Sequence, residues 1–219
     1  FLTVLVAVIQ AVHHHADLLR ASVATAGNEH RLGANEAPPA VMSVFLGEHL
    51  TKILETVGTD KRKKLSKKDI VDLGIGLLPR FTRDLTDRNR TSPFAYTGKK
   101  FEFRALGSSG NISTSLTVLN TIVAESMHSL TARIRAESRK TEFSDAVLKV
   151  LADAIEESRP VLFEGNNYAK EWVQEAQRRK LPNKPSTAQA LKAFVTQKNV
   201  RLFEKHKVFT KAELHARFN

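Results

Sequence analysis

Three polar segments of this chain carry side chains that could bind ions or charged substrates. The first, residues 27–39, is rich in small residues that let a ligand approach the backbone. The second, residues 87–94, contains two arginines. The third contains Glu102 and Arg104, which in a strand would lie on one face, about 7 Å apart. A carboxylate beside a guanidinium can act as a metal ligand next to an anion clamp.

Taken singly, the charged residues of these segments also have ordinary structural explanations. Glu102 and Arg104 would form a solvent-facing ion pair of little energetic value. Arg31 would be a solvated loop residue, and Glu36 a turn residue. Their combination in one region is harder to explain in this way, so we treat them as a candidate site.

Alternation along residues 100–105 predicts the strand that positions Glu102 and Arg104, with two phenylalanines and an alanine on its buried face. The rest of the first half is predicted from apolar spacing and turn residues. It comprises an amphipathic helix at 2–26, a buried strand at 41–46, a helix at 48–57 and an irregular, basic segment at 58–98.

The second half of the chain is predicted to be helical, which gives an α+β fold. Its signals are an apolar stripe from Leu116 through Met127 to Ile134, a second from Phe143 to Ile155, a third helix at 168–180, and capping boxes at Ser186 and Thr210. Residues 115–218 are therefore predicted to form an antiparallel helical unit that packs on the α/β part before it.

The chain is basic, with 34 Lys and Arg against 23 Asp and Glu and a net charge of +11. Residues 61–104 hold 13 basic and 5 acidic side chains, which is +8 of that total. Such a field attracts phosphates, carboxylates, nucleic acid or an acidic partner, and charge does not choose among them. The lysine run at 61–68 lacks interleaved aromatic residues for base stacking, which favours a solvated loop over a nucleic-acid site.

Composition excludes several classes of protein. The absence of cysteine rules out disulfides, thiolate metal sites and a cysteine nucleophile, and is typical of a reducing compartment. No apolar run reaches the 18 residues of a membrane span, and the start lacks the pattern of a secretory signal. Because the chain opens on Phe1 rather than Met, we expect it to be a piece of a longer protein.

Two other features are predicted to be structural. The consecutive histidines 13–15 fan out by about 100° each on a helix, so they cannot meet at one metal ion. Tyr168 and Trp172 are four residues apart on the predicted third helix, where we expect their rings to pack.

Two long motifs resemble the catalytic-domain signatures of type III glutamine synthetases. They are residues 27–47, GNEHRLGANEAPPAVMSVFLG, and residues 87–104, DRNRTSPFAYTGKKFEFR. Stretches at 15–22, 118–125 and 202–214 are also similar to that family, so the resemblance covers most of the chain. It implies the C-terminal part of a glutamine synthetase catalytic domain over residues 1–114, followed by the family's helical C-terminal region over residues 115–219.

The resemblance implies an ATP-dependent ligase that joins glutamate and ammonia. ATP would phosphorylate the γ-carboxylate of glutamate, ammonia would displace phosphate from the γ-glutamyl phosphate, and Mg²⁺ or Mn²⁺ would offset phosphate charge. By the family's motifs, Arg31 would bind the substrate carboxylate and Glu36 would form part of the ammonium site. Arg90, with Arg88 as a weaker match, would contact the nucleotide phosphates.

The same matching makes Glu102 a metal ligand, and Arg104 the arginine that stabilises the transferred phosphoryl group or the substrate. Glu36, Arg90 and Arg104 would thus be catalytic. The family's remaining metal carboxylates come from sequence upstream of Phe1, so we expect this chain to be inactive by itself.

The resemblance further implies a homo-oligomeric ring in the full-length protein, a cytoplasmic location, and no nucleic-acid or membrane partner. The alternative is a basic helical module that binds nucleic acid or serves a structural role without ligase chemistry.

Overall fold

The computed structural model describes residues 1–34, 36–57 and 92–218, and within them it confirms the predicted α+β class. Most of the segment predicted to be irregular lies outside these ranges. The helices are α1 (Leu2–His14), α2 (Ala16–Ala21), α3 (Glu48–Val57), α4 (Ser113–Glu137), α5 (Phe143–Ser158), α6 (Lys170–Arg178), α7 (Thr187–Leu191), α8 (Gln197–Lys205) and α9 (Lys211–Phe218). Single 3₁₀ turns occur at Ala26–Asn28, Arg159–Val161 and Lys192–Val195.

A small mixed sheet of three strands carries the segment that contains Glu102. Its strands, in spatial order, are β1 (Val44–Phe45), β2 (Phe94–Tyr96) and β3 (Phe101–Phe103), with β1 parallel to β2 and β2 antiparallel to β3. Phe94 lies opposite Phe103, and Tyr96 lies opposite Phe101, which builds one aromatic face. Glu102 lies opposite Ala95 and so belongs to the other face.

Two predictions about these strands need correction. The strand predicted at 41–46 shortens to β1, although Val41, Met42 and Val44 are completely buried, as expected. β2 falls in the segment predicted to be irregular. Its three residues are too few for a periodic signal, and they become a strand because β1 and β3 supply hydrogen-bonding partners on both sides.

The N-terminal helix is buried on nearly every side, which differs from the amphipathic helix predicted at 2–26. All residues from 5 to 12 are buried, because α1 packs against both α4 and α5. The helix breaks at His15, whose backbone has φ −124° and ψ 29°, and α2 ends at Ala21. Among the described residues, no helix is both long enough and apolar enough to cross a membrane.

The buried face of α4 is displaced from the predicted stripe. Leu116 and Met127 are 49% and 43% exposed, whereas Ser115 and Ser126 are buried. The Ser126 hydroxyl donates a hydrogen bond to Oε1 of Gln10 in α1 at 2.8 Å, and Ser115 similarly bonds a backbone carbonyl at the end of α2. Small hydroxyl side chains thus occupy the helix contact, because their polar groups find partners there.

The later helices are confirmed with shifted bounds. The second apolar stripe forms α5, although Phe143 at its start is 67% exposed. Ser186 caps α7 by accepting a hydrogen bond from the backbone N–H of Gln189. Thr210 and Glu213 cap α9 reciprocally, since each side chain accepts from the other's backbone N–H.

Helix α8 was not predicted. Thr196 caps it by accepting a hydrogen bond from the backbone N–H of Asn199. The sequence lacks the Glu or Gln that completes a capping box at this position, so the signal was incomplete. In the described part of the chain, the buried apolar residues from α1 through α9 form a single cluster. The domain boundary after residue 114 stays a prediction.

Protonation of His15 is expected to destabilise the chain in acid. His15 is 7% exposed, and burial, followed by the charge of Lys198, lowers its pKa from 6.5 to about 4. The unfolded chain therefore takes up this proton at a higher pH than the folded chain does. The stabilisation is complete above pH 6.5 and is lost as the pH falls to about 4, by about 3 kcal/mol in total.

Urea unfolding at pH 7, 5.5 and 4.5 checks this expectation. His15→Gln should remove much of the pH dependence in that interval, because glutamine does not titrate. His128→Gln is the matched control, since His128 lies exposed on α4. An unchanged pH dependence in His15→Gln would contradict the assignment to His15.

Candidate active site

Arg31 lies against the end of β3. Its Nε and Nη2 atoms donate hydrogen bonds to the backbone oxygen of Arg104, with N to O distances of 3.2 and 3.0 Å. A guanidinium has five N–H donors, so donors remain for an anion while the carbonyl holds the group in place. The side chain is exposed to solvent and accessible to a ligand.

Glu102 and Arg104 lie side by side, as their spacing predicted. Nε of Arg104 is 3.1 Å from Oε2 of Glu102, while Nζ of Lys100 and Oγ1 of Thr97 each lie 3.2 Å from Oε1. Partial burial opposes ionisation of Glu102, but the hydrogen bonds from Lys100 and Arg104 outweigh it and lower the pKa. The carboxylate is therefore ionised at neutral pH.

Arg31, Glu102 and Arg104 thus meet at the same end of β3. The Arg31 guanidinium contacts the Arg104 backbone, and the Arg104 side chain contacts Glu102. The arrangement brings two guanidinium groups and one carboxylate close together through these two contacts. It could bind an anion and a cation next to each other.

The described residues do not by themselves fit a divalent metal ion. Mg²⁺ and Mn²⁺ prefer several oxygen ligands, of which Glu102 supplies one, and its oxygens already accept hydrogen bonds from Lys100 and Arg104. No group of three or more His, Cys, Asp or Glu side chains in ranges 1–34, 36–57 and 92–218 is placed to hold a metal. Histidines 13–15 are included in that result.

Arg31 and Glu36 line the same open cleft, whose volume is about 510 Å³. This size suits a small-molecule ligand. The cleft is completed by His30, Ala37, Pro38 and Tyr168. Both charged side chains that the sequence selected in the 27–39 segment therefore border one ligand-sized space.

Tyr168 was expected to pack on Trp172, and this prediction is wrong. Helix α6 begins at Lys170, so Tyr168 precedes it and the four-residue helical spacing does not apply. Tyr168 is 47% exposed at the cleft, while buried Trp172 stacks on Phe163 with a centroid distance of 3.6 Å. No local pattern in the sequence indicated that Tyr168 would join the site.

Asn28 anchors the start of the cleft loop to the chain that follows β3. It is 6% exposed, and its Nδ2 donates to the backbone oxygens of Val23 and Ala105, both at 2.8 Å. Its Oδ1 accepts from the backbone N–H of Gly107, also at 2.8 Å. Its own backbone oxygen accepts a hydrogen bond from the N–H of Arg31 at 3.0 Å. The anchored Asn28 therefore fixes the position of the Arg31 backbone.

The C-terminal region holds the other side of the loop. Oε1 of Glu29 accepts a hydrogen bond from the backbone N–H of Thr187 at 2.6 Å. Buried Arg20 donates to the backbone oxygen of Pro185 at 3.1 Å, and Gly33 packs directly against that proline. The helical region thus positions the residues that border the cleft.

Some of the predicted site lies outside the described residues. Arg88 and Arg90 were predicted to contact nucleotide phosphates, and both lie outside the described residues. The lysine run at 61–68 also lies outside them. Their roles stay predictions.

The chain is similar to known proteins over its whole length. A family model described as the glutamine synthetase C-terminal domain matches residues 146–219. The type-3 glutamine synthetase of Dictyostelium discoideum is 44% identical over 217 residues, covering 99% of this chain and 30% of the relative. Glutamine synthetases of Bacteroides fragilis and Butyrivibrio fibrisolvens are 41% and 39% identical, covering 99% and 100% of this chain and 30% and 31% of the relatives.

The chain therefore spans about 30% of the length of the curated relatives it matches. The similarity includes the sheet, the cleft loop and the helical region, and it confirms the resemblance that the two motifs indicated. The family match at the C-terminal end and the identity along the whole chain agree with each other. The chain belongs to the glutamine synthetase family.

Proposed function

We propose that this chain, as part of a longer protein, contributes to the ATP-dependent ligation of glutamate and ammonia through a γ-glutamyl phosphate. The observation that carries the proposal is the meeting of Arg31, Glu36 and the end of β3. Arg31 and Glu36 border one cleft, and Arg31 is bonded to the backbone of Arg104, which pairs with Glu102. Family membership supplies the reaction class.

In this proposal the cleft binds the amino-acid substrate and ammonium. The planar Arg31 fork suits a carboxylate, to which it can donate two parallel hydrogen bonds. Glu36 is exposed at the same cleft, where a carboxylate attracts ammonium and can accept a proton as ammonia attacks. The attack forms the amide bond and breaks the bond to the departing phosphate.

Arg104 has the role of stabilising negative charge on the transferred phosphoryl group or the substrate. Its ion pair with Glu102 holds the guanidinium on the outer face of β3. A bound Mg²⁺ or Mn²⁺ would offset phosphate charge, and Glu102 would be one of its oxygen ligands. Arg90 and Arg88 would contact ATP.

The proposal includes the setting of the reaction. Its substrates are glutamate, ammonia and ATP, without a nucleic-acid or membrane partner, and its location is the cytoplasm, in keeping with a chain that has no cysteine. A homo-oligomeric ring of the full-length protein completes it.

Substitution of Arg31 in the full-length protein is expected to weaken the use of glutamate. Arg31→Met should lower kcat/KM for glutamate about 100-fold in ATP-dependent glutamine formation, because it removes a charged, bidentate contact. Arg31→Lys should recover only part of this, since an ammonium is a point charge. The 219-residue chain assayed by itself should form no glutamine.

The matched control is Arg139→Met, which removes an exposed arginine in the turn after α4. It should leave kcat/KM for glutamate within twofold of the parent. If Arg31→Met has the same kcat/KM for glutamate as the parent protein, the proposed role of Arg31 is contradicted, whatever the result for Arg139→Met.

A further inference from the structure

A second cleft, which shares no lining residue with the Arg31 cleft, lies where the end of α1 meets α4 and α8. Its volume is about 410 Å³. We call it the α8 cleft. Its polar lining includes His15 at the end of α1, Glu125 and Ser129 from α4, and Lys198, Arg201 and Lys205 from α8.

One face of α8 gives the α8 cleft its charge. Lys198, Arg201 and Lys205 are spaced by three and four residues, which places all three on the same side of the helix. Glu125 is the carboxylate in the lining, and Lys205 and His206 already hold its two oxygens at 2.7 Å each. The acidic charge in the lining is therefore already offset.

Among the described residues, neither Lys198 nor Arg201 has a carboxylate partner. In the described part of the chain no Asp or Glu oxygen lies within 4.0 Å of Nζ of Lys198 or of a guanidinium nitrogen of Arg201. Lys198 donates a hydrogen bond to the backbone oxygen of His14, which holds the ammonium at the mouth of the cleft. Two cations that face one ligand-sized space favour an anion with two charges.

Neutral donors in the same lining add specificity for an oxyanion. Ser129 presents a partly exposed hydroxyl beside Ser126, whose own hydroxyl is used by Gln10. His15 is 7% exposed, its Nδ1 has no hydrogen-bonding partner among the described residues, and it lines the cleft. His15 therefore adds a polar group to the wall of the cationic cleft.

We propose that the α8 cleft binds a small molecule through a phosphate dianion, held by Lys198 and Arg201. A phosphate monoester carries close to two negative charges at neutral pH and offers three acceptor oxygens. That charge matches the two cations that lack a carboxylate partner among the described residues, and the oxygens match the mixed set of cationic and neutral donors. A monocarboxylate would leave one cation uncompensated, so it should bind more weakly.

The test is a titration of the 219-residue chain with inorganic phosphate. Isothermal titration calorimetry measures the affinity, and backbone amide shifts in ¹H–¹⁵N spectra locate the site. Phosphate should bind with a dissociation constant of about 1 mM or below, and should shift the amides of Ser129 and Arg201. Acetate at matched ionic strength should produce neither effect. The amide shifts separate this cleft from any phosphate bound near Arg31.

Lys198→Met and Arg201→Met should each weaken phosphate binding at this cleft about tenfold or more. Both residues are exposed, and Arg201→Met in particular removes no intramolecular hydrogen bond among the described residues, so folding should be retained. Arg139→Met is the matched control and should bind phosphate as the parent does. The proposal is overturned if the α8 cleft amides do not respond to phosphate, or if Arg201→Met binds it as tightly as the parent.

Discussion

Replacing Gly33 with alanine is expected to lower the free energy of unfolding by about 4 kcal/mol, the sum of backbone strain and a steric clash. For a chain of 219 residues this corresponds to a fall in Tm of roughly 10 °C. Gly33 has φ +104°, a region that side chains disfavour. Both effects arise at the centre of the loop that borders the Arg31 cleft.

The clash is severe because the neighbour is backbone. A Cβ on Gly33 would lie 2.6 Å from the carbonyl oxygen of Pro185 and 3.0 Å from its Cα. The same oxygen accepts a hydrogen bond from buried Arg20, so moving the proline away also weakens the contact of a buried charge. No small rotation of a side chain can relieve the overlap.

Gly27→Ala is the matched control from the same loop. An added Cβ on Gly27 meets no atom within 4 Å, so its effect on Tm should be within about 2 °C. Thermal unfolding followed by circular dichroism measures both variants. Equal Tm values for Gly33→Ala and Gly27→Ala would show that the loop is not held against Pro185 as the structure has it.

The parts of the site that the sequence could predict depend on local spacing. Glu102 in β3 and Arg104 directly after it lie side by side because an extended chain alternates at every residue, and this holds whatever the strand packs against. The capping boxes at Ser186 and Thr210 were readable for the same reason, since cap and partner are three residues apart.

The parts that could not be predicted depend on contacts between distant residues. Glu29 and Thr187 are 158 positions apart, and no spacing rule connects them. Tyr168 reached the cleft because α6 begins two residues after it. The apolar stripe predicted for α4 did not include the serines on its buried face, since hydroxyl partners such as Gln10 appear only when the helices are packed together.

Asn28→Asp is expected to lower the free energy of unfolding by about 4 to 5 kcal/mol at pH 7, although it only replaces the side-chain NH₂ group by oxygen. Nδ2 of Asn28 donates to the backbone oxygens of Val23 and Ala105. A carboxylate cannot donate, so both carbonyls lose a partner and face a negative charge in a site that is 6% exposed. The bond from the Gly107 N–H can remain, and it offsets only part of the loss.

The pH dependence of Asn28→Asp distinguishes this mechanism from a general loss of packing. Burial beside two carbonyl oxygens should raise the pKa of the new carboxyl group above its unfolded value of about 3.9. The folded variant then binds the proton at higher pH than the unfolded variant, so its destabilisation is complete well above that pKa and shrinks as the pH falls towards 4. Chemical denaturation of the variant and the parent at pH 7 and pH 4.5 measures the difference.

Asn120→Asp, on the exposed side of α4, is the control and should stay within about 0.5 kcal/mol of the parent at both pH values. If the deficit of Asn28→Asp were the same at both pH values, the hydrogen bonds that place Arg31 beside β3 could not be the source of the stability.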